Sequence, residues 1–206
     1  MKLLSDVLVP RYIDKAMSQA LFTVYRQQVV SQAEGVVLEI GFGSGLNLPH
    51  YLAEKVRQLT TVDPSPGGNK LAQPRIKASP IPVEQHLLSA EKLPFPNNSF
   101  DTVVSTWTLC GLPKLDEALD EIKRVVKPGG TFLFLEHGLN NNPQTQKWQQ
   151  RLDPLHCRLP GGCHLNRDIA AYITGHLQIL ELNQFVDPKL GKLTGYLYQG
   201  KATKNS

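Results

Sequence analysis

The chemistry of this chain concentrates in Glu39-Ile40-Gly41-Phe42-Gly43-Ser44-Gly45. Three glycines at alternating positions let the backbone take unusual φ/ψ values and approach a ligand with no Cβ in the way. A dinucleotide-binding turn needs Gly-x-Gly-x-x-Gly. Here the third glycine comes one position early, at Gly45, and Leu46 occupies the dinucleotide position. Glu39 would repel a diphosphate, whereas it suits a ligand bearing an ammonium or sulfonium group. Asp63 closes the next strand-like stretch, where an acid accepts hydrogen bonds from ribose hydroxyls. Together these residues ask for a nucleoside with a positive, amino-acid-like tail.

A second group of reactive residues lies later in the chain. His137 follows a β-type run, at the end of a strand where ligands gather in an open α/β sheet, and could deprotonate an acceptor or orient it. His156-Cys157 and Cys163-His164 invite comparison with a four-ligand zinc site. Their adjacent pairing does not match the usual Cys-x-x-Cys loops, so no metal is expected. Cys110, in an apolar setting, reads as a packed small residue or a pocket wall.

The elements that must position these residues follow from pattern. Val36 to Ile40 is a strand buried on both faces. Helical spacing runs through Pro10 to Ser31, from Leu46 to Arg57 after the glycine loop, and through Lys114 to Val126. Ser65 to Ser79, with two prolines and two glycines, reads as a short, late or broken helix. Further strands fall at Gln58 to Pro64, Ile81 to Leu88, Phe100 to Thr106 and Thr131 to Glu136. Pro143 to Leu152 and Asn166 to Gly175 read as helices, the second with Asn166 as N-cap. Leu177 to Val186 and Thr194 to Lys204 form an antiparallel pair at the sheet edge. Alternating strands and helices imply an α/β, doubly wound, mostly parallel sheet.

Composition bounds the class. The chain has 206 residues, 41% hydrophobic and 19% charged, with a net charge of +4. That is an ordinary globular composition, too weakly basic to argue for nucleic acid. Three cysteines and an early charge at Lys2 give no disulfide framework or signal-peptide core, so a cytoplasmic setting is expected. No run of 18 apolar residues implies a membrane span. Leu21, Phe22 and Tyr25 beside Arg11, Lys15 and Arg26 also fit a helix lying weakly on a membrane surface. The oligomeric state is not legible.

S-adenosylmethionine is a nucleoside of the kind the glycine loop asks for. Four segments in order and spacing resemble the class I, seven-stranded methyltransferases that use it. They are Glu39 to Gly45, Asp63, Leu93-Pro94-Phe95-Pro96-Asn97-Asn98-Ser99-Phe100-Asp101, and Arg124-Val125-Val126-Lys127-Pro128-Gly129-Gly130. The resemblance implies a Rossmann-like sheet with an antiparallel C-terminal edge. It implies one domain over residues 1–206, with a helical extension at 1–34, a cofactor core at 35–136 and substrate-side elements at 137–206. Gly41, Gly43 and Gly45 would lie against the methionine part and ribose, with Glu39 near the ammonium. Asp63 would take the ribose hydroxyls, Pro64, Ser89 and Ala90 would lie near the adenine, and Thr106 near the reactive sulfur. Many members carry an acid where this chain has Ser89.

A narrower resemblance joins Thr106 to Cys110, Phe134 to Gly138, Trp148 to Pro154 and Gly162 to Asp168 to the methyltransferase-like 7 group, which includes thiol S-methyltransferases. It implies a small-molecule acceptor, with a thiol as one class and Cys110, His164 and Arg167 lining its pocket. Related enzymes methylate quinone precursors, sterols or phospholipid head groups. A non-catalytic S-adenosylmethionine-binding protein would also carry an intact cradle.

Overall fold

The computed structural model describes residues 4–159 and 161–204; the charged opening Met1-Lys2-Leu3 lies outside them. Seven strands form one sheet in the order β3-β2-β1-β4-β5-β7-β6. They are β1 (Gly35–Ile40), β2 (Val56–Val62), β3 (Val83–His86), β4 (Phe100–Thr106), β5 (Val126–His137), β6 (Gln178–Val186) and β7 (Tyr196–Thr203). β3, β2, β1, β4 and β5 run parallel, while β7 pairs antiparallel with both β5 and β6. The strand order reverses between β1 and β4, and the crevice at that switch opens outside the strands' carboxyl ends. Gly41, Asp63, Trp107 and Gly138 each follow the last residue of a parallel strand, so the sheet gathers the reactive sequence positions at one edge.

Two apolar layers flank the sheet because successive strand residues face opposite sides. On one face Leu38, Val103, Phe132 and Phe134 pack with Ala118, Leu119 and Ile122 of α4 (Leu115–Val125) and with Ile169 and Ile173 of α6 (Ile169–His176). On the other, Val37, Leu59, Val104, Leu133 and Leu135 pack with Val29 and Val30 of α2 (Ala20–Val30) and Ala72 of α3 (Pro66–Ala78). The other α-helices among the described residues are α1 (Val9–Met17) and α5 (Pro143–His156).

Several elements depart from the sequence reading. The helix expected over Leu46 to Arg57 does not form; a single 3-10 turn at Leu48–His50 leads into β2 at Val56. Pro49 removes a backbone donor there. Asn47 and Tyr51 are drawn inward to Glu39, so the segment is held by side chains rather than by helix bonds. The first helix is two, because Gln19 is extended. Arg26 folds back from α2 to donate to the Met17 carbonyl at 2.8 Å, satisfying an end of α1 that helix bonds leave open. α3, by contrast, is continuous through Pro74. Its start is secured by Pro66 in the first turn and by Ser65 Oγ accepting from the Gly68 N–H at 3.1 Å. The N-cap of α6 is Asp168, not Asn166. β5 is longer than expected, entering the sheet through Pro128-Gly129-Gly130 with a register shift there.

Candidate functional site

The glycine loop leaves β1 with Gly41, Gly43 and Gly45 all at positive φ, which only glycine adopts without strain. At Gly41 there is also no room: a Cβ would lie within 2.6 Å of three Thr108 side-chain atoms. Gly41 and Gly43 face the crevice. Gly45 does not line it. Its N–H closes the turn onto the Phe42 carbonyl at 2.9 Å, and it packs against Phe42 and Leu48, so its role is to shape the loop. Below the loop Glu39 is buried, with Asn47 Nδ2 donating to Oε1 at 2.9 Å and the Tyr51 hydroxyl to Oε2 at 2.7 Å. Burial lifts its pKa to about 7, against the opposing pull of those two donors and of Arg26. Asn47 Nδ2 also donates to Thr106 Oγ1 at 3.0 Å, so one amide links the ends of β1 and β4.

Asp63 lies at the end of β2 with both oxygens engaged. Oδ2 accepts the Gly43 N–H at 2.8 Å and Oδ1 the Ser65 N–H at 2.7 Å. Burial raises its pKa, and these two backbone donors oppose the rise. It therefore ties the glycine loop to the start of α3 while a lone pair on each oxygen stays free. Asp63, Pro64, Leu88 and Ala90 border a cavity of about 400 Å³ that shares Gly41, Gly43 and Ser44 with a second one. Ser89 is not part of that wall: Leu88 and Ala90 border the cavity, while Ser89 is exposed and its hydroxyl donates to Glu91.

The second cavity, about 380 Å³, takes in Glu39, Gly41 and Asn47, passes Thr106 and reaches Cys110 and Cys163, with apolar surface over most of its wall. Ile13 and Met17 of α1 roof it, with Trp107 as a wall. Trp107 is at φ +56°, a strained conformation for a large side chain, and its indole packs edge-on against Phe22 with ring centroids 5.2 Å apart. Its buried Nε1 has no protein partner among the described residues. Arg26 also borders the cavity, and burial lowers its pKa to about 10. The sequence reading sets Arg26 among the basic residues of an N-terminal helix and not in the site. Asn47, Tyr51 and Trp107, which lie within a few residues of the motif or of β4's end, are not among the expected site residues either.

At the far end of this cavity Cys110, His137 and Cys163 converge from three elements. His137 Nε2 is 2.8 Å from Cys163 Sγ. Hydrogen bonding from Cys110, then from His137, pulls the Cys163 pKa down to about 4, while Cys110 is pushed up. Glu136, fully buried, holds the turn that carries Cys110: Oε1 accepts the Thr108 and Leu109 N–H groups at 2.9 and 3.0 Å and the Ser105 hydroxyl at 3.1 Å.

Two expected pocket residues lie elsewhere. Arg167 is buried beside the cavity and donates to the Leu109 carbonyl and, at 2.6 Å, to the Leu112 carbonyl. It clamps the loop behind Cys110. His164 points away from Cys163 and pairs through Nδ1 with Asp153 Oδ2 at 2.9 Å. The zinc-like quartet of the sequence is thus divided, with Cys163 in the cavity and Cys157 and His164 grouped with Asp153.

Comparison with known proteins agrees with this geometry. A family model described as "Methyltransferase domain" matches residues 38–134. Thiol S-methyltransferase TMT1B of Rattus norvegicus is 30% identical over 158 residues, covering 75% of this chain and 64% of the relative. The ubiquinone/menaquinone biosynthesis C-methyltransferase UbiE of Rubrivivax gelatinosus is 36% identical over 105 residues, 51% of this chain and 40% of the relative. Each alignment thus spans less than two thirds of the relative's own length. A solved structure of Haemonchus contortus phosphoethanolamine N-methyltransferase 2 in complex with S-adenosyl-L-methionine superposes with a TM-score of 0.70. It covers 96% of this chain and 60% of that one at 15% identity, a likeness of fold.

Proposed function

The chain belongs to the class I S-adenosylmethionine-dependent methyltransferases, and from that premise we propose that it moves a methyl group from S-adenosylmethionine to a small apolar thiol. The observation that carries the acceptor class is that the cavity holding Glu39 and Arg26 continues past Thr106 to Cys110, His137 and Cys163, between the apolar side chains of Ile13, Met17 and Trp107. The thiol S-methyltransferase relative supports the same class.

The residues fit the methyl donor. Gly41 and Gly43 line the cradle, and a Cβ at Gly41 would collide with the Thr108 side chain. Asp63 keeps a free lone pair on each oxygen for the ribose hydroxyls, and Pro64 with Leu88 and Ala90 gives an apolar berth for adenine. Glu39 supplies negative charge near the ammonium, and Arg26, on the same cavity, suits the tail's carboxylate. S-adenosylmethionine, when bound, brings a methyl group already activated on a sulfonium sulfur. The protein's task is therefore alignment and exclusion of water. Thr106 and Trp107 wall the junction of the two cavities, and α1 roofs both. A thiol needs only to ionise before it attacks, with a pKa of roughly 8.5 when free. His137 acts at the acceptor end of the cavity, beside Cys163. His137→Ala lowers turnover by about ten-fold or more while leaving cofactor affinity nearly unchanged; unchanged turnover would remove His137 from the reaction.

Trp107, Tyr12 and Phe42 on the same cavity favour one second reading, an aromatic quinol-type acceptor. Steady-state rates across alkyl thiols, aryl thiols, phenols, quinols and ethanolamine head groups decide between them. The thiol reading expects kcat/KM for an alkyl thiol well above that for any quinol, and the reverse order overturns it. A cytoplasmic setting suits this function, because all three cysteines are free thiols, the form a reducing compartment maintains.

A further inference from the structure

We propose that Cys110, His137 and Cys163 form a three-ligand site for a thiophilic divalent cation of the Zn²⁺ class, with the fourth position open to the acceptor cavity. The two thiol sulfurs and an imidazole nitrogen lie within 4.8 Å of one another. Two thiolates and a neutral imidazole, with one position left to a further ligand, make a donor set that zinc takes in catalytic sites. All three residues line the same cavity, so an ion held by them is reached from the acceptor side.

The scaffold holds two of the donors from behind. Glu136 fixes the Thr108–Leu109 N–H groups, and Arg167 binds the Leu109 and Leu112 carbonyls, so Cys110 is gripped on both flanks. The Cys163 carbonyl is bonded to His156 Nδ1 at 2.7 Å, and the next N–H, that of His164, donates to the Cys110 carbonyl at 2.9 Å. The two cysteine backbones are thereby tied together. His137 is held more loosely. Its Nδ1 is buried and has no partner among the described residues, while Nε2 is hydrogen-bonded to the Cys163 sulfur.

This independent feature bears on the fit. Donor atoms around a tetrahedral zinc stand roughly 3.5 Å apart, given Zn–S and Zn–N bonds of about 2.3 and 2.0 Å. The present Nε2–Sγ separation is 2.8 Å. The imidazole must retreat by about 0.7 Å, and it can do so without breaking any other hydrogen bond. The neighbouring trio of Asp153, Cys157 and His164 is a weaker candidate. Both Asp153 oxygens are engaged, one by the Leu165 N–H at 2.6 Å and the other by His164, and none of the three lines the cavity.

The consequence for the reaction rests on the thiol reading above. The acceptor loses its S–H proton to solvent, and the resulting thiolate takes the fourth position. Its second lone pair forms the new S–CH₃ bond as the donor's S–CH₃ bond breaks. The product is a neutral thioether, a much weaker ligand than the thiolate, so it leaves.

Zinc titration of the chelator-stripped full chain, in competition with a chromophoric chelator, tests the site. Co²⁺ titration monitored for sulfur-to-metal charge transfer gives a second readout. One equivalent of Zn²⁺ per chain is expected, with a thiolate–cobalt band. Affinity should fall at least 100-fold in Cys163→Ser and remain unchanged in Cys157→Ser. Cys163 is only half-buried, so this variant should fold; unchanged S-adenosylhomocysteine binding verifies that. Less than stoichiometric binding by the wild type, survival of tight binding in folded Cys163→Ser, or its loss in Cys157→Ser overturns the site. Full-rate thiol methylation by metal-stripped protein also overturns it and leaves the thiol reading intact. Stoichiometric zinc binding without thiol turnover upholds the site and ends the thiol reading.

Discussion

Glu39 is a buried carboxylate whose two immediate donors are neutral, and that makes it a pH-sensitive part of the cradle. Its pKa is raised from the ordinary 4.5 to about 7. The folded, ligand-free state therefore binds its proton more tightly than the unfolded chain does. The stability contribution is complete below about pH 4.5 and is lost as pH rises through 7. A ligand ammonium prefers the ionised form, so S-adenosylmethionine affinity should tighten as pH rises toward 7, by up to about ten-fold per pH unit. Calorimetric titration at successive pH values from about 5.5 to 7.5 measures this; Glu39→Gln should flatten the dependence, and a flat wild-type profile would contradict the assignment. Asp63→Asn makes a different point. Its amide would set an N–H₂ against either the Gly43 or the Ser65 N–H, both of which now meet an oxygen. The expected cost is about 1–3 kcal/mol of cofactor binding, read as a roughly five- to 150-fold rise in Kd. At this scale the sequence was informative about place where backbone geometry or charge marks a residue: Gly41, Glu39 and Asp63 all border the crevice. It was silent where a role depends on which way a side chain turns. Cys163 and His164 are adjacent and face opposite ways, and only the fold decides which one meets His137.

At the scale of elements, β5 carries most of the load. It pairs with β4 on one side and β7 on the other, and it ends on Glu136 and His137. Phe134 is fully buried in it, against Phe132 and close to Gly200 of β7. Phe134→Ala should destabilise the protein by about 3–5 kcal/mol, measured by urea unfolding, and a loss under 1 kcal/mol would contradict the packing described. The strands and α4 were legible because alternation and helical periodicity report burial without knowledge of partners. The Leu46 to Arg57 segment misled because its apolar residues are buried, yet for another reason: Leu48 and Tyr51 fold under the glycine loop, Tyr51 to bond Glu39. The continuity of α3 was hidden for a related reason. Its Gly68 packs against the Gly43 backbone, a tertiary contact that compensates for weak local propensity.

Over the whole molecule, the sheet provides the floor of the site and the N-terminal helices its roof. Arg26 joins the two, reaching from α2 to the end of α1 and bordering the cavity. Removing residues 1–17 should leave a folded sheet but open both cavities to water, raising the S-adenosylmethionine Kd at least ten-fold and speeding its release. Stopped-flow fluorescence of Trp107 reads the release rate, and an unchanged rate would show that α1 is not a roof. No helix among the described residues is long and apolar enough to cross a membrane. The roof was not legible in the sequence, since amphipathic spacing shows that a helix covers something but not what it covers. The account as a whole turns on methyl transfer from the cradle into the cavity beyond Thr106. The most direct measurement is a single turnover with methyl-labelled S-adenosylmethionine and a small alkyl thiol, followed by mass spectrometry. The label should appear in the alkyl methyl thioether, with one S-adenosylhomocysteine formed for each. Bound cofactor recovered intact, with no label in the thiol and no S-adenosylhomocysteine, would contradict it.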